Sequence, residues 1–599
     1  MLKSLYEKPL GATRNGALFH AHWYPTKISP DSIALMIACH TKPGDLVFDG
    51  FGGSCTTALA ALLCSKPPEE LVTAAKARGL NPAWGPRRAV VYELGGLGSF
   101  IGETLCSRPD PNRFFATASR LLHEVENRCG WMYRTVDEHG VEALIRHIIW
   151  SELIECPACQ QTSSLWDACV QLNPAHIADK WKCTACGKTS NLGTTPRVLE
   201  RGFDPLLRTE YTSKVRRLAR VDGITGRRFW TRQPTDRDLA LLARIQDEAI
   251  PKAVPLVPMM GKGGVAWGDL WRAGYHDGIT HVHQFYTRRN LIALATILEL
   301  VENEPRSIRD ALRFWVSSYN SSHSTLMTRV VAKQGQPDLA LTSAQPGVLY
   351  ISGLPVEKNI FLGLRRKMKT VHKAFAALRG LEGQVEVRHG SSTRTHLADE
   401  SVDYVFTDPP FGGNIPYSEV NFISETLLRR STSTRDEAVV SSVQSKNIGD
   451  YEALLTKAFL EMRRLLKPSG KATVVFHSTQ ADVWQALVNA YSAADFRVEL
   501  SNILDKKQGS FKQVTTDNFA KGDPMLLLSS EDQKKPTSRA SLEKTIAGLV
   551  AQADALEDPQ ERLPHRIYSR FVAHYLHQRS SPPIDADEFY EKLAIARST

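Results

Sequence analysis

Residues 402 to 411, VDYVFTDPPF, run a short apolar strand directly into Asp408-Pro409-Pro410-Phe411. An aspartate, two prolines and an aromatic in that order suit one task, which is to hold a planar exocyclic amine against an electrophilic methyl group. Asp408 can accept one amine N–H and the Pro409 carbonyl the other. The paired prolines fix φ and stiffen the turn, and Phe411 can stack on the ring face. With both hydrogens held, the nitrogen lone pair points outward for a direct displacement, so catalysis would be mostly positioning and electrostatics. Just beyond the turn, Asn414 and Tyr417 are candidates for the wall of the target pocket, with simple turn packing as the alternative. A four-residue turn of this kind also arises by chance in a chain of 599 residues, so its partners decide.

The second informative stretch is HAHWYPTKISPDSIALMIACHTKPGDLVFDGFGGSCTTALAALL, residues 20 to 63. Lys42-Pro43-Gly44-Asp45 is a turn and Leu46 to Asp49 a short buried strand, after which Gly50, Gly52, Gly53 and Ser54 lead into an apolar helix. In such a strand, glycine turn and helix, backbone can approach a ligand closely. The Gly-Lys-Ser/Thr of a P-loop is absent. A further strand, Arg88 to Tyr92, ends in Glu93, placed to accept hydrogen bonds from ribose hydroxyls. Glu93 lies some forty residues past Asp49, beyond the usual ~20, and an insert with Pro67-Pro68 and a short polar helix accounts for the excess.

Taken together, Asp408 to Phe411 and the glycine turn resemble the motifs of the amino-methyltransferases, which use S-adenosylmethionine to methylate adenine N6 or cytosine N4 in DNA and have RNA guanine N2 relatives. Within the longer string, Asp49, Phe51, Gly53, Ser54 and Thr56 fall where that family has its cofactor motif, with Cys55 in place of the usual last glycine. The resemblance implies that Pro25, Thr26 and Lys27 help bind the methionine end of the cofactor. It also places His389-Gly-Ser-Ser392, after a strand at Val385 to Arg388, near the cofactor adenine, with Ser391 and Ser392 as candidates. Asp-Pro-Pro-Phe is commoner in the adenine enzymes. A carbon-5 cytosine enzyme is disfavoured because that chemistry needs a cysteine nucleophile, commonly after proline, and no Pro-Cys pair occurs.

Between the two halves of this pattern lie Cys156-Pro-Ala-Cys159 and Cys183-Thr-Ala-Cys186. Two Cys-x2-Cys knuckles at this spacing fit a four-thiolate zinc ribbon. Four thiolates leave no open position, so the Zn2+ is expected to be structural, tying down two hairpins that have little core of their own. Cys169, between the knuckles, reads as a small buried residue. Residues 197 to 237 then carry eleven Arg and Lys with few acids to balance them. Among these, Arg216, Arg217, Arg227, Arg228 and Trp230 are candidates for nucleic-acid contact through phosphates, base edges and stacking. The alternative is a solvated helical face. Residues 264 to 330 read as helical, and His276, His281 and His283 as packing or capping groups, since no spaced carboxylate or cysteine completes a metal site.

Lysine and arginine number 74 against 64 acids, a net charge of +10 compatible with a polyanionic partner. With 42% hydrophobic and 23% charged residues there is core for several domains. No apolar run opens the chain and no long uncharged apolar run follows, so an export signal or membrane span is not expected. All ten cysteines lie at or before Cys186, unlike a disulfide framework, which points to a reducing cytoplasm.

The expected architecture is α/β, a Rossmann-like class I methyltransferase sheet interrupted by a large insert with a zinc ribbon and a helical, basic region. The cofactor half is placed at 1–106, a helical connector at 107–150, the ribbon and target-recognition insert at 150–260, and a mostly helical insert at 261–382. The catalytic half follows at 383–530, with a helix stop at Lys467-Pro-Ser-Gly470, and a polar helical tail at 531–599. What the resemblance implies is an adenine N6 DNA methyltransferase that binds S-adenosylmethionine, double-stranded DNA and structural zinc, in a restriction-modification or phage-defence setting with other subunits. The alternatives are an RNA guanine N2 or DNA cytosine N4 enzyme, or an inactive zinc-ribbon DNA-binding subunit.

Overall fold

The computed structural model describes residues 5–6, 10–11, 16–254, 256–259, 278–320, 323–344, 349–505, 523–530, 541–556 and 559–598. The chain forms two units. One comprises Met1–Arg108, Ala374–Ser418 and Ser431–Thr599, the other Pro109–Lys373 and Glu419–Arg430. Among the described residues no helix is long and apolar enough to cross a membrane.

The first unit is an α/β arrangement on an eight-stranded mixed sheet. Its strands are β1 (Leu10–Gly11), β2 (Leu46–Asp49), β3 (Arg88–Glu93), β4 (Gln384–His389), β5 (Val402–Thr407), β6 (Leu466–Val475), β7 (Arg497–Asp505) and β8 (Asp523–Ser529). The spatial order is β1-β7-β8-β6-β5-β2-β3-β4. Neighbours pair in parallel except β8, which is antiparallel to both β6 and β7. From β2 the chain steps outward through β3 and β4, then returns to β5 on the other side of β2. The order therefore reverses between β2 and β5, where open sheets leave a crevice at the carboxyl ends of their strands. Strands buried on both faces read as unbroken apolar runs, and β2 and β8 are buried along their whole length.

Helices α1 (Pro30–His40), α2 (Thr56–Leu63), α3 (Gly96–Cys106), α4 (Ile448–Leu465) and α5 (Ala481–Ala493) belong to the same unit. Asn447 starts α4 with a capping box, its side chain accepting from the Gly449 and Asp450 amides. The helix does end before Lys467, yet Lys467-Pro-Ser-Gly470 is not a loop: these residues are already strand in β6. The tail also does more than a polar reading implies. Ile546, Phe571 and Phe589 from its helices are buried in the core cluster that holds Phe48 and Val405.

Cys55 is left-handed at φ 55° and fully buried. Its side chain lies against α3, where a Cβ added at Gly102 would meet the Cys55 Cβ and Sγ at 2.4 Å. The residue in the place of the family's glycine is thus accommodated by a missing side chain one element away.

In the second unit the fourteen-residue strand Glu142–Glu155 pairs antiparallel with Arg216–Thr225 and Val356–Lys358. Helices Pro111–Cys129, Arg288–Glu302, Arg306–Tyr319 and Ile360–Ala377 accompany it. The basic run is therefore not helical: Leu199–Asp204, Thr209–Lys214, Arg216–Thr225 and Arg228–Arg232 are strands. The apolar stretch after His281 becomes helical only at Arg288. His276 lies outside the described residues. His283 donates from Nε2 to Asp204 at 2.7 Å and His281 precedes a 3-10 turn in a capping box.

Gly102→Ala should lower the unfolding free energy by about 1–3 kcal/mol through overpacking, and Cys55→Gly in the same chain should recover most of that loss. Chemical denaturation of the three variants checks this, and equal destabilisation of Gly102→Ala and the double variant would refute the proposed packing.

Candidate active site

At the carboxyl ends of β2, β3 and β5 lies an open cleft. Asp49 ends β2 with a carboxylate that is 3% exposed. Its Oδ1 accepts the Phe51 amide at 3.0 Å and the Thr407 hydroxyl at 2.8 Å, and its Oδ2 accepts the Thr57 hydroxyl at 2.6 Å. Burial pushes this carboxyl up to about 6 despite those three donors. Thr407 is the last residue of β5, so one buried group joins the glycine turn, the start of α2 and the residue before Asp408.

Glu93 closes the glycine turn from the other side. Its two carboxylate oxygens accept the amides of Gly53 and Gly95, each at 2.6 Å. Gly52 is required by close approach: an added Cβ would lie 2.4 Å from Val91 Cγ1 and 3.1 Å from the Tyr92 carbonyl oxygen.

All nine cofactor candidates line this cleft: Pro25, Thr26, Lys27, Asp49, Phe51, Gly53, Ser54, Thr56 and Glu93. The Lys27 ammonium is directed at the Leu18 and Phe19 carbonyls, at 3.1 and 3.3 Å, so it anchors the preceding segment. Ser54 and Thr56 hydroxyls bond each other at 3.0 Å. Ser391 and Ser392 also line the cleft.

Of the tetrapeptide, Asp408 and Pro410 face the cleft. Pro409 is buried, and Phe411, 7% exposed, packs edge-on to Phe476 with ring centroids 5.5 Å apart. The Tyr451 hydroxyl donates to the Pro410 carbonyl at 2.5 Å and holds the turn from α4. Tyr417 lines the cleft, bonds the Thr26 hydroxyl at 2.9 Å and stacks on Tyr24 with centroids 6.0 Å apart. Burial, with the Asp408 charge second, pushes its phenol well up. Asn414 is exposed and does not reach the cleft. Sequence reasoning missed Tyr24, Thr407, Tyr451 and Glu437, whose carboxylate accepts from the Ser418 amide and hydroxyl at 3.0 and 2.6 Å. Five carboxylates, Asp49, Glu93, Asp408, Asp436 and Glu437, line the cleft against one ammonium, which suits a ligand carrying positive charge.

Residues 5–67, which carry the glycine turn and the Tyr24 to Lys27 segment, match the family model described as DNA methylase. Among solved structures, the antibiotic-resistance methyltransferase Kmr is 16% identical over 29% of this chain and 73% of its own, with a TM-score of 0.16. The cyclase SpnF is 16% identical over 23% of this chain, with a TM-score of 0.13, and the matched part spans 42% of the cyclase's own length. No curated protein matches the chain.

The second unit holds a cluster of four cysteines. The Sγ atoms of Cys156, Cys159, Cys183 and Cys186 all lie within 4.8 Å of one another, with Cys156 to Cys186 and Cys159 to Cys183 both at 3.6 Å. Tetrahedral Zn–S bonds of about 2.3 Å place sulfurs roughly 3.8 Å apart, so the cluster fits a metal of that size. The first knuckle joins Glu142–Glu155 to Thr162–Ser164, and the second joins Lys180–Lys182 to Thr189–Asn191. The Ala158 and Cys159 amides, in that order, push the Cys156 thiol down to about 6. Cys169 is buried outside the cluster, in the unit's core.

The arginine run is not short of acids, because tertiary structure brings them from elsewhere. Arg216 pairs with Glu152 at 3.3 Å, Arg228 with Asp137 at 2.7 Å and also with Glu138, Arg220 with Asp222 at 2.8 Å and Asp338 at 2.6 Å, and Arg232 with Asp238 at 2.6 Å. Trp230 is 6% exposed and bonds Thr225 from its indole N–H at 2.9 Å, so it is a core residue and no stacking platform. Arg217 and Arg227 remain exposed, Arg217 within 4.0 Å of Glu200.

The raised Asp49 carboxyl binds a proton more readily folded than unfolded. Its contribution to stability is therefore present below about pH 4 and lost as pH rises through about 6. Relative to Asp49→Asn, the wild-type protein should lose on the order of 2–3 kcal/mol across that window. Urea unfolding at about pH 3.5 and about pH 7, on either side of that window, measures the difference, and parallel pH profiles would contradict it.

Proposed function

We propose that the protein is an S-adenosylmethionine-dependent DNA methyltransferase acting on adenine N6. The observation that carries this reading is the Thr407 to Asp49 hydrogen bond, 2.8 Å, which joins the glycine turn to the residue before Asp408 beside one cleft. The strand order, with a single antiparallel strand between β6 and β7, supports a Rossmann-like class I methyltransferase sheet. When bound, S-adenosylmethionine supplies a methyl group on a cationic sulfonium. The chain fits such a cofactor through its glycine cradle and its acidic lining.

The chain's own residues then divide the work. Asp49 and Glu93 fix the turn, leaving their outward lone pairs to the cleft. The Asp408 carboxylate, which faces the cleft, holds a hydrogen of the target amine, and Tyr451 keeps the turn from relaxing by its bond to Pro410. Tyr24 and Tyr417 offer aromatic surface for an extruded base, whose unstacking costs a few kcal/mol. In this reading the second unit is the target-recognition part, and the four cysteines would hold Zn2+ as a structural tie between the two hairpins.

The test is transfer of labelled methyl to unmethylated duplex DNA and, separately, to total RNA, followed by nucleoside analysis. N6-methyladenine from DNA is expected, whereas N4-methylcytosine or label confined to RNA would overturn the adenine assignment. Asp408→Ala should lower the rate by about 10²–10³-fold with an unchanged circular dichroism spectrum, and Tyr451→Phe by roughly tenfold. The purified protein should release one zinc per chain to a chelator after thiol modification, and Cys183→Ser should release none.

A further inference from the structure

A second concentration of positive charge lies outside the arginine run. From 359 to 381 there is no Asp or Glu, while Arg365, Arg366, Lys367, Lys369, Lys373 and Arg379 all fall in that interval. Most of this is the helix Ile360–Ala377, which buries Phe361, Leu364, Met368 and Val371 at helical spacing. The basic residues lie around the rest of its surface. Arg365 pairs with Glu126 at 2.5 Å, and the nearby Glu357 is already paired with Arg289 at 2.6 Å. Among the described residues, Lys358 and Arg366 have no carboxylate within ion-pair distance.

The Asn290 side-chain amide donates to the Ser324 and Lys358 carbonyls at 3.0 and 3.2 Å, which sets the start of this basic segment beside the chain at His323. Gly363 leaves room for Tyr319, since a Cβ there would meet the Tyr319 ring at 1.8 Å and its hydroxyl oxygen at 2.0 Å. Residues three and four positions on share a helix face with Gly363, and these are Arg366 and Lys367. His323 lies on Tyr319 with ring centroids 5.1 Å apart. Lys358 stands just before the helix, where the Asn359 side chain accepts the Phe361 and Leu362 amides at 3.0 and 3.3 Å. The charges act on one another. Burial, then Lys358, Lys367 and Arg366, push the His323 imidazole down to about 3. Burial, then Arg366, push both Lys358 and Lys367 down to about 8. Half-buried like charges raise the energy of the free protein, and an anion between them would relieve it.

We propose that Lys358, Arg366 and Lys367, beside Tyr319 and His323, form a binding site for backbone phosphates of a nucleic acid. The choice of nucleic acid over another polyanion rests on the methyltransferase reading, whereas the existence of an anion site does not. Arginine forks and lysine point charges suit phosphate oxygens, and such contacts position a duplex without reading its sequence.

The experiment is binding of a fluorescent DNA duplex by the full chain across a salt series, for the wild type, Lys358→Met/Arg366→Met, and the charge-keeping Lys358→Arg/Arg366→Lys. Each phosphate contact contributes about 0.9 to the slope of log K against log salt. The methionine pair should therefore flatten the slope by about 2 and weaken binding some tens of fold near 0.1 M salt, while the charge-keeping pair stays close to wild type. An unfolding midpoint no lower than wild type, with unchanged heat of S-adenosylmethionine binding, shows that the methionine pair is folded. An unchanged slope in that pair overturns the site and leaves the methyltransferase reading standing. If the wild type binds no duplex but inorganic pyrophosphate raises its melting point and not that of the methionine pair, the site takes a small anion and the nucleic-acid assignment falls.

Discussion

One carboxylate, Asp49, sets the geometry of the first unit. It ends β2 and accepts hydrogen bonds from the turn that follows, from the helix after that turn, and from Thr407, 358 positions further along the chain. Bonds to an ionised group are stronger than neutral ones, and a buried carboxylate that lost a donor would be left with a desolvated lone pair. The turn and the end of β5 are thereby held to a common reference. A long excursion of chain separates them in sequence, and the shared acceptor makes that separation irrelevant to their spacing. Burial still prevails over the three donors, and this is why the carboxyl stays above its ordinary range.

Glu93 repeats the device one strand away, taking two glycine amides where Asp49 takes one amide and two hydroxyls. Acidic groups used in this way serve twice. Their inner lone pairs fix backbone, and their charge stays at the cleft, where Asp408, Asp436 and Glu437 add to it. The departure at Cys55 is absorbed without touching that arrangement, since Cys55 is directed at α3 and away from the cleft, into the space left by Gly102. A left-handed non-glycine residue costs roughly 1–2 kcal/mol, a strain the surrounding helix packing can hold.

Local patterns were legible in the sequence wherever their chemistry is local. The strands at Leu46, Arg88, Gln384 and Val402, the glycine turn between β2 and α2, and both cysteine knuckles could be placed from composition and spacing alone. What could not be read were partners supplied from a distance. Thr407 looks like any strand threonine until Asp49 is beside it, and Tyr451 like any helix tyrosine until its hydroxyl reaches Pro410. The strand through Lys467-Pro-Ser-Gly470 was hidden because proline and glycine mark turns in most contexts, and here β6 carries them at its start, before its fully buried stretch. The aromatic at 230 looked available for stacking because exposure is a tertiary property, and its neighbour Gly223 is what admits the ring into the core.

The two basic segments of the second unit show why charge counts mislead. The first, residues 197 to 237, is rich in arginine, and acids from Asp137, Glu138, Glu152 and Asp338 close on it when the sheet forms. The second, around the helix Ile360–Ala377, is no richer in cations; Arg365 of this helix takes Glu126, and Glu357 is held by Arg289. Positive potential persists at Lys358 and Arg366, which have no carboxylate within ion-pair distance among the described residues. A solvated helix with scattered lysines would relax its charges into water. Lys358 and Lys367 cannot do so fully, since burial itself holds their ammonium groups below the ordinary range. The cost of keeping such a cluster half-dry is met when an anion arrives, and this separates a recognition surface from an ordinary basic face.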